Sequence, residues 1–208
     1  MTVMDFERWR VLMSMVIVRV GGIATAAAGV LVVGQEVWGV VAGGIGEGAV
    51  ESAVHATWVL LLVFGLLGLH QHQQHAAGTF GQIATLVALF GTVTLFAASM
   101  TEVTILPALP KGSPLIDDPP PALLAVFLVS FVAYVAGLLL FGAATWRARV
   151  LPRRAAALLV IGVVLALALK GVVPGVLAVL GVALVWLGAA GLTQTRAGAN
   201  DAQVTARA

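Results

Sequence analysis

Residues 155–192 decide how this chain folds, and they read AAALLVIGVVLALALKGVVPGVLAVLGVALVWLGAAGL. The only interruptions of this apolar run are Lys170, Gly171, Pro174 and Gly175. A single helix over about 38 residues would be about 57 Å long, whereas the apolar core of a bilayer is about 30 Å thick. The run therefore predicts two membrane-spanning helices joined by a tight turn at residues 170–175.

The rest of the chain continues the same pattern. Of its 208 residues, 61% are hydrophobic and 10% are charged, against about 25% charged residues in an ordinary soluble domain. This composition excludes a water-soluble globular enzyme. Because an open strand in hydrocarbon would leave backbone groups unpaired, the apolar stretches are predicted to be helices. The sequence thus predicts an all-α, polytopic transmembrane helix bundle in one domain, residues 1–192, with six spans at about 11–33, 53–70, 80–106, 121–145, 155–170 and 173–192, followed by a disordered cytoplasmic tail at 193–208.

Basic residues set the predicted orientation, because cytoplasmic segments carry an excess of Lys and Arg. One side of the predicted bundle holds Arg8, Arg10, Arg147, Arg149, Arg153, Arg154, Arg196 and Arg207. The other side holds Lys111 and Lys170. Both termini of this multi-pass membrane protein are therefore predicted to be cytoplasmic. The first span is predicted to remain as an uncleaved signal anchor.

Three connections between the predicted spans differ in composition. The outer loop 34–52 is acidic and Gly-rich but contains the apolar stretch VWGVV at 37–41, so it is predicted to lie on the membrane surface. The inner loop 70–79 is rich in His and Gln. The outer loop 107–121 is Pro-rich and should be stiff and non-helical. Small residues along the spans predict that the helices pack closely; they lie at 21–29, 137–144 and 181–191 and in Gly171-x-x-x-Gly175.

The order of short motifs from the second span onward resembles a known group of membrane proteins. The motifs are His55, Gly65-Leu66-Leu67-Gly68-Leu69, Gly78-x-x-Gly81, Phe90-Gly91-Thr92, Glu102 with Pro107, Leu140-Phe141-Gly142, Arg147-x-Arg149-Val150-Leu151-Pro152 and Val185-Trp186-Leu187-Gly188. The group comprises uncharacterised multi-span membrane proteins common in actinobacteria and Chloroflexi-like bacteria, and the resemblance covers about residues 50–192. The resemblance implies the topology and a bacterial cytoplasmic (inner) membrane as the location, and it implies no particular activity. The chain departs from the group at 70–75, where basic residues are usual and this sequence has HQHQQH.

Ionisable residues at the outer ends of the spans are the first candidates for a binding site, because charged groups in a membrane are costly. Glu102 lies near the outer end of the third span, His55 opens the second and Lys170 ends the fifth, with Glu51 one helical turn from His55. A Glu–His pair in a partly dry cleft would suit proton handling or cation binding. The alternative is a set of interfacial charges that share a depth by chance.

Arg19 is a second candidate, since it lies about eight residues, or about 12 Å, into the first span. Tyr134 and Thr92 fall at a comparable depth in the fourth and third spans. Arg19 could therefore hydrogen-bond these hydroxyls, or lie over the Tyr134 ring, and bind a ligand or ion there. The alternative is that its side chain extends toward the inner headgroups.

His70, His72 and His75 are the third candidate, as a site for a divalent metal ion. His72 and His75 share a helix face, but no carboxylate or cysteine lies nearby, and a polar, pH-responsive turn is the alternative. The chain has no cysteine, which excludes disulfides, thiolate nucleophiles and iron–sulfur clusters. His55 and His70 would be about 22 Å apart along a helix, too far to hold one haem, so no cofactor is predicted.

The sequence leaves three functions open. The favoured one is a non-enzymatic helix bundle that acts through lipid or protein partners, as a homo-oligomer or with another membrane subunit, and it predicts no continuous polar path. The second is a small transporter or channel for protons, cations or a small solute, with Glu102, His55 and Arg19 on the path. The third is a membrane enzyme acting on lipid or quinone, for which no nucleophile is recognisable. The net charge of +2 is too small and dispersed for nucleic-acid binding.

Overall fold

The chain is helical over nearly all of the residues that the computed structural model describes, which are 3–41, 49–105, 108–110, 113, 119–169 and 172–205. Five helices follow one another, and the described residues include no strand: α1 (Val3–Val41), α2 (Ala49–Thr104), α3 (Pro121–Ala148), α4 (Arg153–Leu169) and α5 (Ala178–Thr205). The helices α1, α2 and α3 are long and apolar enough to cross a membrane. The all-α fold predicted from the sequence is confirmed.

Helix α2 folds back on itself at Gly78. The backbone there has φ 58° and ψ −158°, which only glycine adopts readily. His70 Nδ1 and Thr85 Oγ1 lie 3.0 Å apart across the break, whereas 15 residues of continuous helix would separate them by about 22 Å. The helix is therefore a hairpin with a first arm at 49–77 and a second arm at 79–104. The predicted inner loop 70–79 is helical on both sides of Gly78.

The first arm of α2 is the central helix of the bundle. On one side Gly68 packs against Gly21 of α1, where a methyl group added to Gly21 would lie 2.4 Å from Gly68 Cα. Side chains near the end of the arm bond to α3 and α5, as described below. The large apolar side chains on the inward face of the arm are almost completely buried; they are Val59, Leu62, Leu66 and Leu69. This arm therefore forms the middle of the hydrophobic core.

The other helices meet at contacts between small residues, as the sequence predicts for helices packed in lipid. A methyl group added to Gly91 of the second arm would lie 2.1 Å from the backbone nitrogen of Tyr134 in α3. One added to Gly29 of α1 would lie 2.4 Å from the carbonyl oxygen of Gly181 in α5. Each pair of helices thus approaches to backbone contact.

Several predicted boundaries differ from the structure. The prediction of a loop over 34–52 is wrong at both ends, because α1 continues to Val41 and α2 begins at Ala49, while residues 42–48 lie outside the described part. Bonds between the two helix ends, given below, account for this extension. Helix α5 begins at Ala178 and continues as helix to Thr205, where the sequence predicted a span starting at 173 and a disordered tail from 193.

The predicted turn at the end of the fifth span is present where the structure describes it. Residues 172–177 form turns between α4 and α5, and Gly175 has φ 83°. This positive φ explains why glycine stands there. Of the Pro-rich connection 107–121, only 108–110, 113 and 119–121 are described, and the helix resumes at Pro121 after Pro120.

Candidate functional site

Two groups of polar side chains, which we call layers, lie near opposite ends of the bundle. The histidine layer consists of His70, His72, Gln73, Thr85, Thr145 and Gln194. The glutamate layer consists of Gln35, Glu36, Glu51, His55 and Trp58. Along the first arm, His70 and Glu51 are about 28 Å apart. This separation is close to the thickness of a bilayer's apolar core, about 30 Å.

In the histidine layer, His70 joins the two arms of α2. Thr85 Oγ1 lies 2.8 Å from the carbonyl oxygen of Gly81 and 3.0 Å from His70 Nδ1. A hydroxyl has one hydrogen; with that hydrogen on the Gly81 carbonyl, the donor to Thr85 Oγ1 is Nδ1–H of His70. This assignment leaves Nε2 of the neutral ring as an acceptor. This hydrogen bond therefore holds the two arms of α2 together beside the turn at Gly78.

His72 joins the first arm of α2 to α5. Gln194 donates its amide hydrogen to the carbonyl oxygen of Val150 at 2.9 Å, so its Oε1 is the acceptor for His72 Nε2–H. The side chain of Gln194 thus links α2 to the segment between α3 and α4. His72 is held in one tautomer by this contact.

Gln73 joins the first arm to α3 and is almost fully buried. Its Nε2 donates to Thr145 Oγ1 at 3.0 Å, and its Oε1 has no hydrogen-bond partner. Exchanging the amide oxygen and nitrogen would leave the nitrogen unpaired instead, because Thr145 is the amide's one partner among the described residues. A buried polar atom without a partner costs about 1–3 kcal/mol. Gln73 is thus the least satisfied polar side chain of the histidine layer.

The predicted three-histidine metal site is not found. Among the residues that the structure describes, no three His, Cys, Asp or Glu side chains are grouped closely enough to hold a metal ion. His70 and His72 point to different helices, where they bond Thr85 and Gln194, and His75 is exposed. His70 and His72 are two residues apart on a helix and therefore face different directions. For this reason the two side chains cannot bind one metal ion together.

In the glutamate layer, Gln35 of α1 lies between two side chains of α2. Trp58 Nε1 donates to Gln35 Oε1 at 3.1 Å, and Gln35 Nε2 lies 3.5 Å from Glu51 Oε1. His55 packs edge-on against Trp58, with ring centroids 4.7 Å apart. These contacts fasten the end of α1 to the start of α2. They give the physical reason why helix replaces the predicted loop at 34–41 and 49–52.

The predicted cluster of Glu102, His55 and Lys170 is only partly described. The pairing of His70 with Thr85 places Glu102 near the same end of the α2 hairpin as His55. The Glu102 side chain is exposed, and Lys170 lies outside the described residues. A cavity shared by these three residues stays a prediction.

Arg19 and the Tyr134 hydroxyl are not bonded in this structure, and a ligand or ion role for these two residues stays a prediction. Arg19 is exposed, and the Tyr134 hydroxyl is buried without a hydrogen-bond partner. Because Gly21 packs on Gly68, Arg19 falls level with His70, near the histidine layer and away from the bundle's centre. Its position therefore fits the alternative, in which the side chain extends toward headgroups.

Between the two layers, buried hydroxyl groups bond to their own helices. Each donates to the carbonyl oxygen four residues earlier, at distances of 2.6 to 3.0 Å; they belong to Thr25, Thr92, Ser99 and Ser130. Such bonds use the hydroxyl hydrogen inside one helix and build no link between helices. The Tyr134 hydroxyl, which has no such carbonyl, stays unpaired in the core.

No known protein family matches this chain, and neither a curated protein nor a solved structure is detectably similar to it. The resemblance to uncharacterised multi-span membrane proteins therefore stays a prediction. What the fold defines is an all-α helix bundle with three helices long and apolar enough to span a membrane.

Proposed function

We propose that this protein is a non-enzymatic integral membrane helix bundle that acts through lipid and protein contacts on its outer surface. The observation that carries the proposal is the apolar middle of the first arm of α2. Between Trp58 and His70 its inward side chains are Val59, Leu62, Leu66 and Leu69, all almost fully buried. An ion path needs polar groups or water along its length, and this stretch provides neither a charge nor a free hydroxyl.

The proposed topology has six spans with both termini in the cytoplasm of a bacterium. The reversal at Gly78 supports this count, since it divides α2 into two arms of about 43 and 39 Å. With α1, α3, α4 and α5 the arms make six segments. Helix α4, at 17 residues, is about 26 Å long and is the shortest of them. Self-association, or pairing with another membrane subunit, would use the outward apolar faces of these helices.

The alternative is a transporter or channel. The observation in its favour is that Glu102 and His55 lie near the same end of the α2 hairpin. We expect purified protein in liposomes to conduct protons and monovalent cations no faster than protein-free liposomes, because the inward face of the first arm is apolar between the two layers. Flux is followed with an internal pH dye and a cation-sensitive dye. We expect the Glu102→Gln variant to behave like the wild type. Flux above the background that Glu102→Gln abolishes would contradict the proposed function and establish the alternative.

A further inference from the structure

The end of the bundle beside the glutamate layer carries an exposed apolar surface. It is formed by the end of α1, the start of α2 and the turn before α5, and we call it the apolar collar: Val37, Trp38, Val40, Val41, Val50, Val172 and Val173. These side chains are between 44% and 79% exposed. The turn lies against α1, since a methyl group on Gly175 would be 3.7 Å from Val40 Cγ2. The start of α2 is held to α1 by the contact of Gln35 with Glu51, so the three segments lie together at this end of the bundle.

Polarity around the collar is the reverse of that in a water-soluble protein. Glu36, which precedes the collar residues Val37 and Trp38 in the sequence, is only 7% exposed, whereas Val37 and Trp38 are largely exposed. Gln35 also turns inward, to Trp58 and Glu51. Inward polar groups under an outward apolar surface are favourable only where the surroundings of that surface are apolar.

The collar also lies at the correct height for a membrane boundary. Arg19 marks the histidine layer on α1, and Val41 is about 22 residues, or about 33 Å, further along the helix. A bilayer's apolar core is about 30 Å thick. With Arg19 near one boundary, the collar falls at the other, where an exposed tryptophan is favoured at the headgroup level.

We propose that the apolar collar is immersed in the boundary between headgroups and acyl chains of one leaflet, so that its partner is lipid. The inference rests on the proposed membrane location and adds where the second boundary lies. Lipid is the occupant that the observations favour, because the collar has no charged member and continues the outward apolar face of α1 at Ile23 and Val30. The membrane-embedded part of α1 then extends to Val41, eight residues beyond the predicted end at 33.

Tryptophan fluorescence in liposomes tests this proposal. Trp58 is buried and bonded to Gln35, so it is kept in every variant as a constant background. The first variant retains Trp38 and Trp58, the second Trp186 and Trp58, and the reference Trp58 alone, with phenylalanine at the other tryptophan positions. Trp186 is an exposed control within α5. By the contacts of Gly188 with Gly22 and Ala26 and of Gly181 with Gly29 and Val33, it is level with about residue 26 of α1, about 18 Å along the axis from Trp38.

The liposomes contain phosphatidylcholine brominated either near the headgroup or near the chain end, and iodide is added to the water in parallel. We expect Trp38 to lose most emission with bromine near the headgroup, and Trp186 with bromine near the chain end. Quenching of Trp38 by iodide alone would place the collar in water and overturn the proposal. Protection of Trp38 from both quenchers would mean that protein covers it, which also overturns the proposal. If neither bromolipid quenches Trp186, the membrane location itself fails, which distinguishes that result from a failure of the collar alone.

Discussion

Gly91→Ala is expected to destabilise the bundle by about 3 kcal/mol or more, the upper end of the usual cost of overpacking a core. The new methyl carbon would lie 2.1 Å from the backbone nitrogen of Tyr134 and 2.4 Å from its Cα. Backbone atoms cannot rotate away as a flexible side chain can. The second arm of α2 and α3 must therefore separate along their contact, which also loosens the packing of Ala88 against Gly137.

The measurement is the free energy of unfolding in mixed micelles with increasing sodium dodecyl sulfate. Gly34→Ala is the matched control, because in the described part of the chain no heavy atom beyond the neighbouring residues and backbone of its own helix lies within 4 Å of the position that its methyl group would take. In a helix this control should be neutral or gain up to about 1 kcal/mol from the better helix propensity of alanine. Equal stabilities of the two variants would contradict the close contact at Gly91.

Gly78→Ala is expected to cost about 1–3 kcal/mol, because φ 58° with ψ −158° is strained for every residue that has a Cβ atom. Space is not the cause, since nothing lies within 4 Å of the added methyl group. The strain therefore acts on the turn alone. It should favour conformations in which the two arms of α2 are less closely paired.

Spin labels on the two arms report this change. The chain has no cysteine, so labels attach only to cysteines introduced at two exposed positions, Leu67 in the first arm and Leu86 in the second. We expect one narrow, short distance distribution in the otherwise unchanged protein and a broader one with Gly78→Ala. The Gly34→Ala variant should keep the narrow distribution. An unchanged distribution and stability in Gly78→Ala would show that the hairpin does not depend on this glycine.

The fold class was predictable because apolar runs about 20 residues long leave few alternatives to helices. Helix lengths were less predictable, because the ends of helices depend on partners. The glycine and glutamate residues at 34–41 predict a loop. The segment is helical instead, and Gln35 contacts Trp58 and Glu51 of the neighbouring helix. Likewise HQHQQH looks like a solvent-exposed turn, although Gln73 is buried and three of these side chains bond neighbouring helices.

The candidate site was less predictable than the fold. The depth of a residue along its own helix does not show which neighbouring helix its side chain faces. Arg19 and Tyr134 were paired by depth, but α1 packs on the first arm of α2 and on α5, and Tyr134 packs beside Gly91 of the second arm. Gln73 was the signal that sequence reasoning missed. An amide within helical reach of Leu66 and Leu69 on the buried face indicates an interhelical bond.

In the proposed topology the first arm of α2 crosses the membrane, with the two polar layers at opposite faces and an apolar stretch between them. Single cysteines at Ala108, which follows the hairpin at the end where the first arm begins, and at Thr79, next to the hairpin turn, test it, because both positions are exposed. A third at Leu66, which is buried, is the control. In intact cells we expect a membrane-impermeant maleimide to label the Ala108→Cys variant from outside, the Thr79→Cys variant only after the membrane is opened, and the Leu66→Cys variant in neither case. Labelling of Ala108→Cys and Thr79→Cys from the same side, or of Leu66→Cys in folded protein, would contradict this topology.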